Sequence, residues 1–253
     1  MVLASDPLRI RLSLLPGITT EHVEAVARLQ WLGLPRIARP RTTVQEEHEP
    51  TGAILVVRRG WAFASKLLPN GGRQVVDFFV PGDVIGGAAA FLPAAQQTCE
   101  TVTETVLTEI PLEVLHRAGR ESPALMEALM TVLASDRARL ADRLVDLGRR
   151  DSVARVAHLL LDLWRRVYLV GGATVSGYPC PLSQYLIADA TGLTAIHVNR
   201  VLRELREMGL LTFRHGYVKF HHFGRLADLA GFDEPTVGAR PHRRSAQAKG
   251  AVA

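Results

Sequence analysis

The chain has 253 residues, 47% of them hydrophobic, with a formal net charge of +5 and two cysteines. That length accommodates one large domain or two ordinary ones with a sizeable core. Two cysteines exclude a disulfide framework and point to a reducing, cytoplasmic compartment, and with no secretory apolar core in MVLASDPLRIRL and no apolar run near the ~18 residues of a span, no membrane partner is expected.

In chain order, Thr20 to Leu32 reads as a short helix capped by Thr19 or Thr20. From Thr42 to Ile110 the signals are those of strands. ILVV (54–57), WAFASKLL (61–68), QVVDFFV (74–80) and TVLTEI (105–110) are short runs of β-formers, separated by Arg59-Gly60, Asn70-Gly71-Gly72 and Pro81-Gly82-Asp83. Asn70-Gly71 predicts a tight hairpin in which both central residues take positive φ. Regular short strands predict a small antiparallel roll or barrel.

From Ser122 the period changes. Ser122-Pro123 is an N-cap followed by proline at the first helical position. Met126, Leu129, Leu133, Asp136, Leu140, Arg143 and Leu147 then recur at alternating spacings of three and four. This is a coiled-coil seam on a helix of about 26 residues (~39 Å), suited to pairing with its own copy or to packing on the preceding roll. A second helix follows, capped by Asp151 or Ser152, with Val153, Val156, Ala157, Leu160, Leu161 and Trp164 as its buried stripe.

Residues 182–206 read as two helices joined by a tight turn. Ser183 caps the first, Thr191-Gly192-Leu193 makes the turn with Gly192 at positive φ, and Thr194 caps the second. On a helical wheel Val198, Val201, Leu202 and Leu205 share the held face, while Ile196, Arg200 and Arg203 lie opposite with His197 and Asn199 on the flanks. Such a helix suits a DNA major groove. Arg200 can donate twice to guanine, Asn199 can pair with adenine, and Ile196 can pack on a thymine methyl. After it, LLTF and YVKF around Arg214-His215-Gly216 form a β-wing, with Arg214 and Lys219 placed for phosphate; Ser183 and Gln184 complete the expected interface. The charge agrees: residues 1–110 hold 10 Lys/Arg against 11 Asp/Glu, and residues 111–253 hold 20 against 14, which points to a polyanionic partner or to a plain solvated basic surface. The segment after Pro235 lacks periodicity and reads as disordered.

On these residues the sequence resembles the Crp/Fnr family of bacterial transcription regulators, roughly over residues 8–232. The strongest stretch is LSQYLIADATGLTAIHVNRVLRELREMGLL, whose HVNR resembles one subgroup. The resemblance implies an α+β fold: a cyclic-nucleotide-binding-like β-roll at 8–118, a long dimerisation helix at 119–149, a winged helix-turn-helix at 150–234 and a disordered tail at 235–253. It implies double-stranded DNA, a second copy of the chain and RNA polymerase as partners, with a small-molecule effector of unspecified kind. The dimer contact is expected at Met126, Leu129, Leu133, Asp136, Leu140 and Leu147. Arg200 matches the family's base-contacting position in type; Ile196 stands where many members have Glu.

The effector pocket departs from nucleotide-binding members, which use a Gly-Glu pair for the ribose and an Arg-Ser or Arg-Thr pair for the cyclic phosphate. Here those places read Gly86-Gly87 and Gln97-Thr98, and no Lys or Arg occurs from Gln74 to His116. An uncompensated buried phosphate is strongly disfavoured, so cyclic AMP binding in the usual way is not expected. No cofactor is expected: an Fe–S cluster normally takes four cysteines, and His48 or Cys99 as a haem ligand, Cys180 as a redox switch, or a metal on His215, His221 and His222 each has a plainer structural reading. Absence of histidine between residues 50 and 115 excludes a metal-dependent cupin, and no enzyme motif is found. The alternative reading is a small-molecule or redox sensor, or scaffold, whose basic rear half binds a protein.

Overall fold

The computed structural model describes residues 6–233; the tail at 235–253 lies outside them. Two short helices, α1 (Pro7–Ser13) and α2 (Thr20–Trp31), precede eight strands: β1 (Leu34–Ala38), β2 (Thr43–Gln45), β3 (Ala53–Arg59), β4 (Ala62–Leu67), β5 (Arg73–Phe79), β6 (Val84–Ile85), β7 (Thr98–Thr101) and β8 (Thr105–Pro111). They form two antiparallel four-stranded sheets, ordered β1-β8-β3-β6 and β2-β7-β4-β5. The alternation along β3 explains the roll. Leu55 and Val57 enter the core between the sheets, whereas Ile54 and Val56 enter a second core beneath the helices. A strand covered on both faces reads as an unbroken apolar run. The hairpin at Asn70-Gly71 departs from the two-residue form. Only Gly71 takes positive φ (+83°); its N–H donates to Leu68 O at 2.9 Å, leaving Pro69 and Asn70 at the corners.

After α3 (Leu112–Glu121) comes the long helix α4 (Pro123–Arg149), capped by Ser122 as expected. The stripe predicted to face a second copy instead faces the chain's own roll along much of its length. Leu129 is buried in the helix-covered core, and Leu133 lies 3.0 Å from the place a Cβ on Gly87 would occupy. Asp136 is paired with Arg139 at 2.8 Å and Arg11 at 3.4 Å. Arg143 reaches Asp77 at 3.4 Å and covers the Phe78 ring. Spacing alone does not distinguish a helix partner from a sheet. The free seam lies one residue further on: Met130, Ala134, Arg137, Ala141, Leu144 and Gly148 are all exposed, Met130 to 59% and Leu144 to 71%. One residue is a rotation of about 100°.

The remaining elements are α5 (Ser152–Leu169), β9 (Gly177–Pro179), α6 (Gln184–Thr191), α7 (Ala195–Glu207), β10 (Leu211–Arg214), β11 (Tyr217–Phe220) and α8 (Phe223–Ala230). Helix α5 is buried on more than its expected stripe, because it packs between the roll and the C-terminal helices. One continuous apolar core joins Trp61, Phe63 and Phe78 of the roll to Leu160, Leu163 and Ile187. Within it Arg166, 3% exposed as a side chain, meets Asp77 at 3.3 Å, forms a close ion pair with Asp83 and donates to Phe78 O at 2.5 Å. Arg139 also reaches Asp77, at 3.2 Å, and Arg11 pairs closely with Asp83. Burial alone pushes the Asp77 carboxyl up, but Arg166, Arg139 and Arg143 outweigh it and hold it well below the usual carboxylate range.

Two outcomes test this network. Arg166→Ala leaves two buried carboxylates short of their shared cation and lowers stability by about 3–5 kcal/mol, read as a drop in urea midpoint. Ionised Asp77 contributes stability above its ordinary pKa of 3.8, lost as pH falls through the depressed folded value. The stability gap between the native protein and Asp77→Asn therefore narrows below about pH 4, followed by urea unfolding across that range.

Candidate nucleic-acid interface

The helix pair at 184–207 is built from local signals. The Ser183 hydroxyl accepts from Leu186 N–H at 3.2 Å. Gly192 adopts the left-handed conformation (φ +66°) that ends α6, and Leu193 N–H returns to Ala188 O at 3.1 Å. Thr194 then caps α7 by accepting from His197 N–H at 3.2 Å. Val198, Val201, Leu202 and Leu205 are buried behind α7. Ile196 is 85% exposed, with Asn199, Arg200 and Arg203 also on the exposed surface. Solvent exposure of a large aliphatic beside two guanidinium groups has no packing explanation within the chain.

The flanks are less free than the sequence implied. His197 Nε2 is hydrogen-bonded to the Ser152 hydroxyl at 3.2 Å. Asn199 Nδ2 donates to Gln184 Oε1 at 3.4 Å, which leaves its second hydrogen and its Oδ1 for a base edge. Arg203 lies 4.0 Å from Glu207. The wing is confirmed as β10 paired with β11, and β9 adds a third strand that its three-residue length hid. Arg214 and Lys219 are exposed on the wing; His215 at its tip takes φ +50°. Tyr185 is also missing from the expected interface. It stands in the first turn of α6, 72% exposed, opposite the buried Ile187, Ala188 and Ala190, and a wheel drawn for this helix would have found it.

The expected effector pocket is a cavity of about 240 Å³ between the roll and α4. Gly86, Gly87 and Gln97 line it, together with Asp77, Asp136 and Arg137. Thr98 turns its hydroxyl to the Glu47 N–H at 3.1 Å. Gln45 bridges the two places that would grip a nucleotide: its Nε2 donates to Gln97 O at 3.3 Å, and its Oε1 lies 2.6 Å from where a Cβ on Gly86 would stand. Arg137 was missed, because it reaches the cavity from α4 rather than from the strands.

Residues 35–122 match the cyclic nucleotide-binding domain family, and residues 154–229 match the Crp-like helix-turn-helix domain family. The chain is 29% identical over 192 residues to the nitrogen fixation regulation protein FixK of Bradyrhizobium diazoefficiens, spanning 74% of this chain and 78% of that one. It is 32% identical over 164 residues to FixK of Rhizobium meliloti, spanning 65% and 67%. The solved structure of FixK2 from Bradyrhizobium japonicum superposes with a TM-score of 0.72 at 27% identity, over 78% of this chain and 96% of that one.

The two thiols lie away from solvent. Cys99 is buried between the sheets, and burial pushes its pKa up to about 12. Cys180, buried beside Tyr178, is likewise pushed up to about 12 by burial. His48 points its ring into solvent, with a side-chain exposure of 86%. Among the described residues, no group of three or more His, Cys, Asp or Glu is placed to hold a metal ion. The thiolate is the reactive form. Both cysteines should therefore resist iodoacetamide at pH 8 in the folded protein and label readily in urea; rapid labelling of native Cys180 would restore the redox reading.

Proposed function

Since the chain belongs to the Crp/Fnr family of DNA-binding transcription regulators, we propose that it binds a near-palindromic duplex site as a homodimer, with α7 of each subunit in one major groove. The observation that carries this reading is the outward face of α7, with Ile196 and Arg200 free and the opposite face fully held. Arg200 is the residue for guanine O6 and N7. Asn199 and Ile196 extend the readout, while Ser183, Gln184, Thr194, Arg203, Arg214 and Lys219 fix register on phosphates. His197, on the flank and hydrogen-bonded to Ser152, is read as meeting either a base or a phosphate.

The dimer reading is supported by the exposed seam of α4. Met130, Ala134, Arg137, Ala141, Leu144 and Gly148 alternate by four and three, and small residues between large ones let a second helix approach. A two-fold axis would bring the seam against itself. Leu147, at 36% exposure, borders it; of the other residues first expected there, Leu129, Leu133 and Asp136 pack within the subunit, Leu140 lines the cavity and Met126 lies against Gly119 of α3.

The pocket is read as degenerate. Asp77 and Asp136 line it, already paired with Arg139, Arg143, Arg166 and Arg11, so among the described residues lining it an anionic ligand would find Arg137 as its one cation. The reading includes RNA polymerase as a further partner and leaves any effector to a chemistry other than a cyclic phosphate.

Gel shifts on duplexes selected from a random pool test the whole reading. Affinity should fall steeply with salt. Arg200→Ala should cost about 1–3 kcal/mol at the selected site and relax preference at one position; an equal loss on every sequence would reduce Arg200 to a phosphate contact. Leu144→Glu should yield a folded single subunit by sedimentation that no longer holds the full site tightly. Calorimetry with cyclic AMP should give no binding tighter than about 1 mM.

A further inference from the structure

Two residues, Arg150 and Asp151, separate the end of α4 from the start of α5. A joint this short is usually taken as a pivot. Here it is tied to the reading domain from several sides. Arg150 donates through Nε to Ala230 O at 2.9 Å and pairs closely with Asp146, whose other oxygen meets His158 Nδ1 at 3.0 Å. Arg155, in the first turn of α5, donates to Thr191 O at 2.8 Å and to Arg150 O at 2.9 Å. Ser152, the first residue of α5, holds His197 of α7 at 3.2 Å. Leu147 of α4 reaches within 3.7 Å of where a Cβ on Gly192 would stand.

We propose that Ser152 and Arg155 are positioning residues that lock the bearing of α7 against the end of α4, and thereby set the half-site separation that the protein accepts. This rests on the dimeric reading above, in which α4 fixes the distance between subunits. Thr191 O and Arg150 O are carbonyls at helix ends, which lack intrahelical donors and favour a cation. A planar guanidinium reaching both holds their separation; a lysine ammonium has no such fork. Ser152 adds the second tie, on the first turn of α7. With the turn before α7 and the start of α7 both fastened to one turn of α5, the reading helix follows α4 as a rigid extension. Neither tie requires contact with DNA.

Spacing is the readout that a merely stabilising role would not move. Adding or removing one base pair shifts a half-site by about 3.4 Å and turns it by roughly 35°. The native dimer should disfavour both changes by roughly tenfold or more, as when contacts in one half-site are lost. Arg155→Lys and Ser152→Ala should each reduce that penalty to a few fold, while the salt slope stays as in the native protein. Urea midpoints accompany the binding series, and Ser152→Ala, which removes a single hydroxyl, serves should Arg155→Lys fail to fold. Variants that lose affinity in equal proportion at every spacing overturn the proposal, and so does a salt slope reduced by about one, the mark of a phosphate contact. A native protein indifferent to spacing overturns both this proposal and the dimeric reading; a native preference that the variants retain overturns this proposal alone.

Discussion

A guanidinium from the reading domain, Arg166, lies between two carboxylates of the roll, and the rest of the structure is arranged so that none of the three is left unpaired. Asp77 and Asp83 are both buried. Removing one partner of a buried pair is far more damaging than the pair is stabilising. The domains therefore dock as a unit. The apolar core that runs from Trp61 and Phe78 to Leu160 and Ile187 closes around the charges, and Arg73 adds a second tie, to Asp189 of α6, at 2.7 Å. The helix pair that presents the reading face is thus fixed to sheet β2-β7-β4-β5, not tethered to it by a linker.

The same network bears on the cavity beside α4. Asp77 belongs at once to the cavity wall and to the ion pairs with Arg139, Arg143 and Arg166. A change in the cavity that moved Asp77 would therefore act directly on α5, which carries both Arg166 and the ties to α7. That is a contiguous physical route from the cavity to α5 and on to α7.

The helix pair was legible in the sequence because its determinants are local. Ser183, Gly192 and Thr194 each act within four residues, and the wheel of α7 sorts its faces without knowledge of any neighbour. Four strands of the roll, β3, β4, β5 and β8, were legible for the same reason. Misreadings arose where a residue's role depends on a distant partner. The α4 stripe had the right period, but much of it packs on the chain's own roll. Arg166 and Arg155 sat unnoticed on a helix read only for its apolar stripe. Strands β2, β6 and β9, two or three residues each, carry too few residues to show a period. Net charge was a blunt guide: residues 111–253 hold 20 Lys/Arg against 14 Asp/Glu, but three of those cations, Arg139, Arg143 and Arg166, are turned inward onto aspartates of the roll. The case for a polyanion rests on where Arg200, Arg203, Arg214 and Lys219 stand, not on the surplus.

Two of the exposed faces, on α4 and on α7, differ in their chemistry. Along α4 the free seam is mostly apolar and regular over about five turns, with alanine and glycine alternating with methionine and leucine and one arginine among them. Such a surface offers area and close approach but few donors, which is what another helix requires. On α7 a single isoleucine is set among an amide and two guanidinium groups within two turns. That surface offers directed donors around one methyl-sized contact, which is what base edges in a major groove require. A helix partner on α7 would leave Asn199 and Arg200 desolvated without acceptors, and a duplex on the α4 seam would meet Arg137 as that seam's one charged donor.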